Sequence, residues 1–70
     1  KTNVESMIGK EGIVIDTIDN LNGTGQVKID GMDWTARANH SHRLFEIGET
    51  VRVVEIQGVK VIVEENKEEV

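Results

Sequence analysis

An Asp-Gly pair set between two alternating runs leaves a chain few conformations. Asp30-Gly31 separates "TGQVKI" from "MDWTARA". A two-residue loop of this kind reads as a type I′ turn, which needs positive φ at both central residues. The turn sets a register. Ile29 falls opposite Met32, Val27 opposite Trp34 and Gly25 opposite Ala36. On the other face Lys28 meets Asp33, Gln26 meets Thr35 and Thr24 meets Arg37. The first face is apolar or small. The second is polar and carries an opposite-charge pair. A slip of one residue would exchange the faces, so pattern and turn reinforce each other. Trp34 is therefore expected to point into a core, with Gly25 and Ala36 leaving room for its indole.

Other strands follow from the same reasoning. "GIVIDTI" from Gly12 is β-branched and reads as a first strand, closed by the loop "DNLNG". Val14 and Ile18 are expected to point away from Ile13 and Ile15 for part of it, toward the outer face. "TVRVVEIQGVKVIVEE" reads as a second hairpin turning at Gln57-Gly58, with Ile56 facing Val59 and Glu55 facing Lys60. Its alternation changes phase at Val53-Val54, which a β-bulge would reconcile. Asn39 to Glu49 has no period of two and is expected to be a loop or one helical turn. Five short, curved strands predict an all-β fold: a small five-stranded antiparallel Greek-key barrel, OB-fold-like, with an SH3-like barrel as runner-up. The barrel is drawn over residues 9–65, with 1–8 as an arm or linker and 66–70 as an acidic tail.

Composition narrows function. Seventy residues form one domain, and a chain this size buries only about 60% of its unfolded surface. The absence of cysteine removes disulfides and thiolate metal sites. No apolar run approaches the roughly 18 residues of a membrane span. The chain opens at Lys1 rather than Met, as expected of a piece whose parent could hold a membrane anchor. The net charge of -5 works against phosphate binding, which depends on Lys and Arg. The outer face of the first hairpin, with Thr24, Gln26, Lys28, Asp33, Thr35 and Arg37, offers no aromatic for base stacking.

No reactive constellation emerges. His40-Ser41-His42 supplies two imidazoles but specifies no third ligand, and Ser41 between histidines is not a triad. No catalytic residue, cofactor or metal site is expected. A binding surface must then come from loops and outward apolar side chains. The candidates are Arg43, Leu44 and Phe45 in the third loop, and Ile62 on the outer face beside Arg52. Phe45 is either an exposed anchor, as aromatic hot spots often are, or a plug in the open end of the barrel.

These motifs resemble the C-terminal soluble domain of the NfeD family. The most specific run is met by Gly25, Val27, Ile29, Gly31, Trp34 and Ala36. A second is met by Gly48, Glu49, Val51, Val53 and Val54, and Gly58 matches the last hairpin glycine. The resemblance implies an OB-like barrel following membrane-spanning helices, and in long members also a serine protease domain. It implies a soluble domain, membrane-tethered in the parent and on the cytoplasmic side. The implied role is a non-catalytic protein-interaction module acting with a stomatin-, prohibitin- or flotillin-like membrane protein. The alternative from a different class is an OB-type binder of single-stranded nucleic acid.

Overall fold

The computed structural model describes residues 4–66. Residues 1–3 and 67–70, which include most of the expected acidic tail, lie outside the described residues. A 3-10 turn over Val4–Met7 leads into β1 (Glu11–Asp19), β2 (Thr24–Ile29), β3 (Met32–Ala38), β4 (Leu44–Phe45), β5 (Thr50–Gln57) and β6 (Lys60–Glu65). Neighbours run β2-β3-β6-β5-β1, and a further β1–β2 ladder closes the ring. The two-residue β4 is appended to β1.

This is the expected all-β five-stranded barrel with one correction of direction. The β3–β6 ladder is parallel, from Thr35↔Lys60 to Ala38↔Val63. Parity requires it: directions cannot alternate all the way round a ring with an odd number of strands.

The first hairpin keeps the expected register, from Gln26↔Thr35 to Ile29↔Met32. Asp30 and Gly31 have φ of +51° and +81°, as a type I′ turn needs. Lys28 Nζ lies 2.8 Å from Asp33 Oδ1. Gly25 marks a close approach of three strands. A Cβ there would stand 2.5 Å from the Ala36 carbonyl oxygen and 3.0 Å from Ile18 Cα.

The second hairpin turns one residue later than expected. Gln57 pairs with Lys60, Ile56 with Val61 and Glu55 with Ile62, which corrects the Ile56–Val59 and Glu55–Lys60 pairs. Moving the turn by one residue moves each partner by two, so every side chain keeps its face. The ladder slips between Val53 and Glu55, placing a bulge at Val54.

Val14, Ile18, Val27, Ile29, Phe45, Val51, Val53, Val61 and Val63 are fully buried and form the core. Inward Val14 and Ile18 reverse the expectation for the first strand, and Ile13 is 53% exposed instead. The physical reason lies in β1, which slips twice against β2 and breaks any simple parity count. Trp34 shares the inward face but is only half-buried, packing with Met7 and Ile56 against the core. Full burial fails because β6 covers β3 only from Thr35 onward. The hairpin projects past the end of the barrel and leaves Met32 62% exposed.

Candidate interaction surface

No polar or charged residue is buried among the described residues. The barrel interior is apolar, and any chemistry or recognition lies outside it. His40, Ser41 and His42 are exposed in the loop after β3. Among the described residues no group of three or more His, Cys, Asp or Glu side chains is placed to hold a metal.

The third loop differs from the sequence expectation. Residues 44 and 45 form a strand, with Phe45 opposite Ile18 and Leu44 opposite Asp19. Neighbouring positions on a strand point to opposite sides, so one side chain enters the barrel and the other leaves it. Phe45 is fully buried, and Leu44 is 40% exposed. Of the two roles left open for Phe45, the structure shows the plug and not the exposed anchor: it is taken into the core by pairing with Ile18, 27 residues earlier. Arg43 seals it from outside. Its guanidinium carbon lies 4.2 Å from the ring centroid, and Nη1 donates to the Leu44 carbonyl at 2.9 Å. Nη2 stands 3.7 Å from Glu49 and 3.8 Å from Glu65.

Ile62 does lie outside the core cluster, on a rung between Arg37 of β3 and Glu55 of β5. It is only 8% exposed, which corrects its role as a free contact. Ile62 floors a polar groove together with Asn20, Arg37, Glu55, Gln57 and Lys60. Arg37 is committed here: Nη1 donates to the Ala36 carbonyl and Nη2 to the Gly23 carbonyl, at 2.7 and 2.6 Å. Asn20 pairs both ways with the Ala38 backbone at 2.8 and 2.9 Å, holding the first loop against the end of β3. The groove is thus largely satisfied from within.

The remaining motif residues serve the scaffold. Val27, Val51, Val53 and Ala36 are buried, Gly25 allows the close approach, and Gly31, Gly48 and Gly58 occupy bends. Sequence reasoning missed Ile13 and Ile47, which are 53% and 65% exposed. Ile13 was masked by its apolar run. Ile47, next to Gly48, carried a legible signal as an apolar residue at a turn.

The chain matches the family described as NfeD-like C-terminal, partner-binding domain over residues 4–65. It is 38% identical over 69 residues to the membrane-bound protease PH1510 of Pyrococcus horikoshii, covering 99% of this chain and 15% of that protein. Its fold matches the C-terminal domain of stomatin operon partner protein 1510-C from Pyrococcus horikoshii with a TM-score of 0.79 and 37% identity, over 97% of this chain and 100% of that one. It also matches the soluble domain of a membrane protein from Corynebacterium glutamicum implicated in regulation of membrane protease activity. There the TM-score is 0.84 and the identity 32%, over 90% of this chain and 97% of that one.

Proposed function

The chain belongs to the NfeD family as its C-terminal, partner-binding domain, and from that premise we propose that it is a non-catalytic module binding a stomatin-like membrane protein. The observation that carries this reading is the match across the whole barrel to a domain of that description, joined by a structural relative described as a stomatin operon partner. In this reading residues 1–8 connect the barrel, 9–65, to a membrane-spanning part of the parent, and the barrel stands on the cytoplasmic side. Protease activity stays with other parts of a long parent, since the chain spans 15% of the membrane-bound protease it resembles.

The surface chemistry supports a protein partner over nucleic acid. On the outer face of β2 and β3 the Lys28 charge is matched by Asp33 at 2.8 Å, and Arg37 is bound to backbone carbonyls. Both are already engaged, which lowers what they would contribute by displacing counterions from phosphate. Trp34 faces inward, so it offers no stacking platform on this face. Calorimetry of the domain against the stomatin-like protein of the same genome tests the reading, with labelled single-stranded DNA as the comparison ligand. Saturable protein binding with no DNA signal at physiological salt is expected. Micromolar DNA binding that collapses with salt would replace this reading with the nucleic-acid one.

A further inference from the structure

Segment 44–50 runs antiparallel beside β1 along most of its length. Leu44 and Phe45 pair with Asp19 and Ile18. Gly48 donates to the Val14 carbonyl at 2.9 Å, and Val14 donates to the Glu49 carbonyl at 2.9 Å. Thr50 pairs with Ile13. This seam carries Ile13, Leu44 and Ile47 at 53%, 40% and 65% exposure. Ile13 differs from the exposed apolar side chains at turns. It stands within a strand paired on both sides, opposite Lys28 of β2 and Thr50 of β5. Its backbone cannot swing to hide it.

The charges along the seam have one dominant sign. Asp16 and Glu46 are exposed, and Glu49 is partly so. The cations nearest in register are already engaged. Lys28 is bound to Asp33 at 2.8 Å. Arg43 lies over Phe45 and between Glu49 and Glu65. Arg37 and Lys60 belong to the groove on the β3–β6 side of the barrel.

We propose that the strip formed by Ile13, Leu44 and Ile47, bordered by Asp16 and Glu46, is the docking surface for a partner segment whose apolar side chains are flanked by Lys or Arg. The apolar centre supplies desolvation, and the acidic border steers and registers the segment through charge complementarity. This rests on the partner-binding reading above and names the surface and the chemistry that reading leaves open.

Two measurements separate the surface from the partner. In the first, the 15N-labelled domain is titrated with a synthetic peptide alternating Leu and Lys, and separately with its Leu and Glu counterpart. Amide shifts at 13–16 and 44–50 with the Lys peptide alone support the proposal. Shifts centred elsewhere, equal shifts with both peptides, or none with the Lys peptide overturn it. The second measures affinity for the stomatin-like protein with Ile13→Ser, Ile47→Ser and the pair Asp16→Lys/Glu46→Lys, against Lys60→Glu as the control. Circular dichroism confirms that each variant folds. Each strip variant is expected to bind about tenfold more weakly, with the control unchanged. Unchanged affinity in the strip variants overturns the strip and leaves the partner standing. A strip that binds the Lys peptide while wild type ignores the stomatin-like protein supports the surface and removes that partner.

Discussion

The β2–β3 and β5–β6 hairpins have loops of equal length, yet only the first fell where the residue pattern placed it. In the first, Asp30 and Gly31 both tolerate positive φ, and no other pair nearby does. In the second, two turns compete for one glycine. A turn at Gln57-Gly58 of type I′ would force Gln57 to positive φ. A turn at Gly58-Val59 of type II′ asks this only of Gly58, whose φ is +62°. Backbone sterics therefore chose the later turn, against the Glu55–Lys60 attraction. An exposed ion pair contributes up to about 1 kcal/mol, comparable to or less than the steric cost it would have to offset.

The comparison can be broken at several depths. Gly25→Val is the harshest test of the first hairpin, because it combines positive φ with a Cβ driven into the Ala36 carbonyl and Ile18. It should cost roughly 2–5 kcal/mol and abolish the cooperative thermal transition. Trp34→Ala should cost about 2–3 kcal/mol in chemical denaturation, below the range for a fully buried aromatic because the indole is half-buried. Native tryptophan emission should accordingly lie between buried and hydrated values. Gly31→Val and Gly58→Val each place a side chain in open space, so their cost is backbone strain alone, about 1–2 kcal/mol. Equal melting losses would confirm that both turns depend on one glycine. A neutral Gly58→Val would show that the second turn does not depend on positive φ at position 58. Finest is a pair of double-mutant cycles. Lys28 with Asp33 should show a coupling of about 0.2–1 kcal/mol, and Glu55 with Lys60 a smaller one, because they stand diagonally across the ladder and not opposite.

What the sequence made legible follows sequence distance. Local alternation and an unambiguous turn gave the β2–β3 register pair by pair, and the phase change at Val53-Val54 gave the bulge. The parallel β3–β6 ladder was implicit in a closed ring of five strands, yet no local pattern displays it. Phe45 was undecidable from its neighbours, since its burial depends on pairing with Ile18 far upstream. Ile13 was hidden for a related reason: in "GIVIDTI" every residue but the acid and the threonine could face the core, and irregular pairing with β2 decides which do. Of the contact candidates, Arg43 and Leu44 stay accessible, while Phe45 and Ile62 are held by neighbours on other strands.

The position of β6 between β3 and β5 also has a consequence for how the molecule comes into being. β1, β2 and β3 are consecutive in the chain and antiparallel, so they can associate as soon as they leave the ribosome. β3 must then wait for a partner that begins 25 residues after its own paired stretch, from Thr35 to Lys60. Such non-local pairing is slow, because loop closure is costly before any contact rewards it. Until Lys60–Glu65 is synthesised, β3 keeps one open edge and β5 another, each able to recruit strands from other nascent chains. Synthesis of the final strand removes both edges at once.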